Sequence, residues 1–269
     1  MSNFGRGKIK MHRIVLVFLL FLGGCANAFS NNYEGLSSEE IKSRFPSNKP
    51  VQTQLMKGNF ASVDSDCRSL IAKGYVLVGK SGFNASELNS DLAVNLGQEL
   101  TADIVVLYTQ YTNTISTMMP LTLPNTTTAS TNYYNSYNNY MGSSYSTIYG
   151  QSTTYIPTII NRYDYLALYW KKDNRKSRIG IYFFDLTEEQ KMQLQTNVGC
   201  YVDVIIDRTP AFYANILRGD VIIAVNNVKI IDGEHLNNIL ERTPSGQQVN
   251  FTIIRNGQII HKTLIAGKS

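Results

Sequence analysis

The 269-residue sequence predicts an α+β protein: a small α/β domain with a mixed sheet and a long Tyr/Ser/Thr/Asn-rich insertion, followed by a small β-barrel or sandwich domain. Three observations predict it. Between about residues 50 and 172, apolar runs of strand length alternate with helical stripes. From Asn125 to Tyr155 there is no apolar period at all. Beyond residue 177, several short apolar runs are separated by turn residues. With 43% hydrophobic and 11% aromatic side chains, the chain can bury one large core or two small ones. The expected divisions are a signal segment at 1–24, an N-terminal tether at 25–48, the α/β domain at 49–174 with its insertion at about 120–158, and the last domain at 177–266.

The first element is an export signal. Arg6, Lys8, Lys10 and Arg13 precede the run Ile14-Val15-Leu16-Val17-Phe18-Leu19-Leu20-Phe21-Leu22, which is too short to span a bilayer as a helix and ends in Gly23-Gly24-Cys25. Met11 is an alternative start. These four cations account for most of the formal +5, and the remainder is near neutral at +1, so the charge gives no reason to expect a nucleic-acid partner. Leu22-Gly23-Gly24-Cys25 resembles the bacterial lipobox. The alternative is an ordinary signal cut after Ala26 or Ala28. The resemblance implies that Cys25 is acylated and becomes the mature N-terminus, holding the chain on a membrane; Ala26 in place of Asp implies the outer membrane. Residues 26–48 are polar, with a short helix at 37–44 ended by Pro46, and read as a tether.

In the α/β domain, an extended stretch near 51–55 precedes a helix at 64–73 stopped by Gly74. Tyr75-Val76-Leu77-Val78-Gly79 reads as a strand. Asn84-Ala85-Ser86-Glu87 then opens a helix striped by Leu88, Leu92, Val94, Leu96 and Leu100. Asp103-Ile104-Val105-Val106-Leu107-Tyr108 follows as a buried strand, so strand, helix and strand make a parallel crossover pair. The strand at 103–117 and another at 163–170 alternate polar and apolar and are expected to pair antiparallel. The polar insertion between them carries Tyr133, Tyr134, Tyr137, Tyr140, Tyr145, Tyr149 and Tyr155. It has no core of its own and reads as a mobile loop or a protruding hairpin, either a contact surface or a solvated insertion.

From Arg178 the chain reads Arg-Ile-Gly-Ile-Tyr-Phe-Phe. Then come a polar segment at 185–199, the strand Cys200-Tyr201-Val202-Asp203-Val204-Ile205-Ile206, and Thr209-Pro210-Ala211 opening a short helix. Leu217-Arg218-Gly219-Asp220-Val221-Ile222-Ile223-Ala224-Val225-Asn226-Asn227 follows. This ordered set resembles the PDZ domains of HtrA-type periplasmic proteases over roughly residues 177–266. Asn215 and Asn226-Asn227 stand where that family has glycine, and Asn is the side chain that best tolerates positive φ. A helix at 233–242 and two strands joined by Asn256-Gly257 complete the domain. The resemblance implies peptide binding by strand addition, with a ligand carboxylate on consecutive backbone N–H groups. Arg178, Ile179, Gly180 and Ile181 match the loop, with Arg178 either attracting the carboxylate or a solvated edge residue. Phe183 extends the groove, and the helix with His235, Leu236, Ile239 and Leu240 forms the opposite wall, Leu236 and Leu240 being alternatively core and His235 an incidental exposed residue.

Neither a Gly-x-Ser-x-Gly nor a Gly-Asn-Ser-Gly nucleophile turn is present, and His235 and His261 have no catalytic context, so a non-enzyme is expected. No phosphate loop, dinucleotide motif or Cys-x-x-Cys pair implies a cofactor or metal. Cys67 and Cys200 read as separate buried thiols; a bridge between them would need the two domains to dock closely. The expected function is a membrane-anchored adaptor for the C-termini or extended segments of envelope proteins. The alternatives are assembly or adhesion through the Tyr-rich insertion, and regulation of a periplasmic protease.

Overall fold

A computed structural model describes residues 27–46, 52–138, 140–175 and 177–268. Cys25 and the apolar run before it lie outside the described residues. Two sheets divide the chain into two units. The first unit opens with α1 (Ala28–Asn31), β1 (Tyr33–Gly35) and α2 (Ser38–Arg44). It continues with β2 (Gln54–Gly58), α3 (Val63–Ala72), β3 (Tyr75–Ser86), α4 (Asp91–Glu99), β4 (Ile104–Asn135) and β5 (Tyr140–Lys172). Its sheet has the order β1-β3-β5-β4-β2.

The base of β4 shows why this sheet is covered on both faces. Val105 and Leu107 pack with Ala93 and Leu96 of α4, whereas Ile104, Val106 and Tyr108 pack with Leu70 of α3. A strand buried on both sides reads as an unbroken apolar run, which is what 104–108 is.

Three expectations for this unit need correction. The segment read as a tether is folded from residue 28: Phe29 and Ile41 are fully buried in the α4 core, and β1 adds to the edge of β3. Its local signals are sound, since Ser37 and Glu40 form a reciprocal cap on α2, but two isolated apolar residues give no period to detect. The helix expected from Asn84 starts at Asp91 instead, because β3 stays paired with β5 as far as Ser86 and Arg162. Asn84 serves that pairing and not a cap: its amide contacts Asp164 at 2.8 Å and the Arg162 guanidinium at 2.8 Å. Finally, β3 and β4 run parallel but do not touch, since β5 lies antiparallel between them; the bonded parallel pair is β2 with β4.

Beyond the body, β4 and β5 continue as one two-stranded ribbon to the pair Asn135 and Tyr140. The Tyr-rich stretch lies in this ribbon.

The second unit contains β6 (Ile181–Asp185), α5 (Glu188–Leu194), β7 (Cys200–Ile205), α6 (Pro210–Tyr213), β8 (Val221–Val225) and β9 (Val228–Lys229). It ends with α7 (Gly233–Arg242), β10 (Gln248–Arg255) and β11 (Gln258–Ile265). Its sheet order is β11-β10-β8-β7-β6, with β9 paired to β8. The turn asparagines behave as expected: Asn215, Asn226 and Asn227 have φ of 55°, 47° and 66°. The Gly219-Asp220 turn is locked from within. Asp220, 1% exposed, accepts from Arg255 at 2.6 and 2.8 Å and from the Leu217 N–H at 2.8 Å. The units meet where the Asp207 N–H donates to the Ala72 carbonyl at the end of α3.

Candidate functional site

Strand β6 closes one side of the second sheet and pairs only with β7 among the described residues. Alternate N–H and C=O groups along its other flank are therefore left for another strand. Helix α7 lies against β6 and forms the second wall.

The loop before β6 has its carbonyls turned inward. Those of Arg178, Ile179 and Gly180 accept from the N–H groups of Gly267, Ala211 and Ile206 at 2.8, 2.9 and 2.9 Å. The N–H groups of Ile179 and Gly180 have no acceptor among the described residues. Successive N–H groups turned outward make a concavity suited to a carboxylate. Gly180 is required for this shape. Its φ is +90°, and an added Cβ would lie 2.1 Å from Oγ1 of the buried Thr209.

A cleft of about 1580 Å³ opens beside the loop. Its apolar lining includes Ile179, Ile181, Phe183 and Leu240. Ile181 and Phe183 alternate with the exposed Tyr182 and Phe184, so they share the inner face of β6. From α7 the cleft is lined by Asn237, Leu240 and Glu241.

Of the expected wall residues, Leu240 lines the cleft; Leu236 takes the core alternative, fully buried, and Ile239 packs against that core. His235 turns back over the start of α7, where its Nδ1 accepts from the Ile231 N–H at 3.3 Å. The stripe of Asn237 and Glu241, two residues around the helix from His235, faces the cleft with Leu240, and Asn237 and Glu241 join at 2.7 Å. Arg178 is engaged by α7 and is neither free for a carboxylate nor merely solvated. Its guanidinium donates to the carbonyls of Glu241 and Thr243 at 3.0 and 3.2 Å, capping the negative end of α7.

The groove is tied at both ends. Arg178 joins the loop to the end of α7, and Asp185, at the end of β6, accepts the Gly233 N–H at 2.5 Å at the start of α7. An acidic group on a helix N-terminus is favoured by the exposed N–H groups there. The two ties thus fix α7 beside the edge at the loop and at Asp185.

The first unit contributes the remaining wall, a placement with no local sequence signal. Lys73, Tyr75 and Lys172 line the cleft together with Arg208 and Lys268 of the second unit. Three acids line it as well: Asp173, which is bonded to Arg175 at 2.8 Å, Asp207 and Glu241. The rim carries an excess of cations.

Cys67 and Cys200 are free thiols. Burial, with Asp185 and Asp232 nearby, pushes the Cys200 thiol up to about 12, which makes it inert as a nucleophile. Among the described residues there is no cluster of potential metal ligands, and no helix is long and apolar enough to cross a membrane.

The PDZ domain family profile matches residues 177–264. The magnetosome formation protease MamE of Magnetospirillum gryphiswaldense is 30% identical over 100 residues, which are 36% of this chain and 13% of that protein. The chain thus spans a small part of that curated relative. Among solved structures, the HtrA-type protease AlgW with decapeptide is 29% identical over 34% of this chain and 29% of its own, at a TM-score of 0.31. The HtrA3 PDZ domain bound to a phage-derived ligand is 22% identical over 32% of this chain and 81% of its own, at a TM-score of 0.29.

Proposed function

From the premise that residues 177–264 are a PDZ domain similar to those of HtrA-type proteases, we propose that this chain captures protein C-termini or extended segments between β6 and α7. The observation that carries the reading is the unpaired edge of β6, preceded by outward N–H groups on Ile179 and Gly180 and flanked by the apolar surface of Ile181, Phe183 and Leu240. An added strand would bond to that edge, its terminal carboxylate would sit on the loop, and its last side chain would fill the pocket. The basic rim of Lys73, Lys172, Arg208 and Lys268 would favour the anionic terminus over an internal segment.

In this reading the chain acts as an adaptor; the sequence carries neither a Gly-x-Ser-x-Gly nor a Gly-Asn-Ser-Gly nucleophile turn. Acylation at Cys25 holds it on the outer membrane, with envelope proteins as its ligands. A fluorescence-anisotropy screen of C-terminal peptides is the direct test. Saturable binding with a Kd on the order of micromolar, lost when the terminal carboxylate is amidated, is the expected result. Equal binding of free and amidated peptides, or none of either, would reject the groove. Cys25→Ser should move the chain out of the membrane fraction, and retention there would reject the anchor.

A further inference from the structure

The ribbon formed by the outer parts of β4 and β5 is the largest feature that the groove leaves unused. Its strands lose their neighbours early: β2 pairs with β4 only as far as Tyr108, and β3 pairs with β5 only from Arg162. Past those points both edges and both faces stand outside the body. Between Asp103 and Arg162 the sequence holds no Asp, Glu, Lys, Arg or His. Exposed ribbons and edges ordinarily carry charge, and this one carries none.

The two faces differ. Beyond the irregularity at 111–113, the register places Ile115, Met119, Leu121, Leu123, Ile156 and Ile160 on one face. The first five are 42% to 56% exposed. The other face carries Thr114 bonded to Asn161 and Thr122 bonded to Thr153, both at 2.9 Å, and is interrupted by Met118, Tyr155 and Ile159. Pro120, Pro124 and Pro157 fall in one class of cross-strand pair, opposite Tyr155, Gln151 and Met118. Proline is tolerated in a ladder where its missing N–H would point away from the partner strand, so these three remove donors from the outer edges and oppose edge-on growth.

We propose that the apolar face of this ribbon packs on the same face of a second copy of the chain. An uncharged face meets its own copy in either orientation without like-charge repulsion, and this face is uncharged over its whole length. Two strands are about 10 Å wide and residues 113–127 extend about 50 Å, so overlap of two such faces buries on the order of 1,000 Å², enough for a specific interface. The prolines direct association to the face and away from the edges, which closes the assembly at two copies. The proposal does not depend on the peptide groove.

Disulfide trapping in cells, with the full chain, tests it. Thr117→Cys, Thr154→Cys and Thr158→Cys lie on the apolar face; Ser116→Cys and Thr153→Cys lie on the opposite face. At least one apolar-face variant should form a reducible species of twice the mass, and the opposite-face variants and the unsubstituted chain should not. Leu121→Asp, an exposed position unable to upset the core, should reduce that species at least tenfold. Equal trapping from both faces, a ladder of masses above the dimer, trapping only to a different protein, or no trapped species at all would each overturn the proposal.

Discussion

The edge of β6 and the ribbon of β4 and β5 are both open to other chains, and they are built in opposite ways. The edge of β6 is short, backed by α7, and tied at its ends by Arg178 and Asp185. The ribbon of β4 and β5 is long, uncharged and bare on both sides. A short edge between two ties offers a defined number of backbone groups beside a side-chain pocket, which is what selective strand addition needs. A long neutral face offers area without a defined end, and its limit comes from three prolines. An open edge alone therefore does not identify a ligand; what bounds the edge does.

The largest effect should come from breaking the bounded edge at its turn. Gly180→Ala forces an L side chain to positive φ at about 1–2 kcal/mol and drives a Cβ into Thr209 at about 1–3 kcal/mol. Chemical denaturation should show the second unit destabilised by about 3 kcal/mol, with peptide binding lost. A change under about 1 kcal/mol would mean that the loop is not held as described.

A smaller effect should follow from releasing the far end of the edge. Asp185→Ala removes the tie to Gly233 at a stability cost of about 1 kcal/mol, the value of a helix cap. Calorimetric titration should then show a six-residue peptide gaining about fivefold in affinity while a tripeptide is unchanged. Equal gains for both peptides would show that Asp185 does not limit the groove.

The smallest effect should come from the ribbon. Replacing residues 114–160 with an Asn-Gly turn removes no member of either core of the first unit. The melting temperature of the isolated chain should move by no more than about 2 °C, within the range of changes that touch no buried group. A fall several times larger would mean that the ribbon supports the body.

How much of this was legible varied along the chain. In the second unit, Pro210 at the start of α6, Asn226-Asn227, and Asn256-Gly257 each carry a backbone preference strong enough to mark a turn by itself, and the strands between them lie where the turns require. The groove loop was equally legible, because Gly180 is a local necessity. The helical wall was not: which stripe of α7 faces β6 depends on the packing of Leu236 and Leu240 beneath it, and the sequence presents both stripes alike. In the first unit, Asn84 carried a correct helix-cap preference that pairing with β5 overrode.

By itself the sequence determined the domain order, the strands and turns of the second unit, and the neutral character of the 104–161 stretch, because composition and local backbone preference are properties of a few adjacent residues. Only the tertiary structure decided that β5 enters between β3 and β4, that residues 28–45 join the first core, that Asp185 closes the groove, and that Lys73 and Lys172 reach its rim. Each of these depends on which distant segment wins a pairing or packing site, and that competition is settled by buried area summed over the whole unit and not by any residue's own preference.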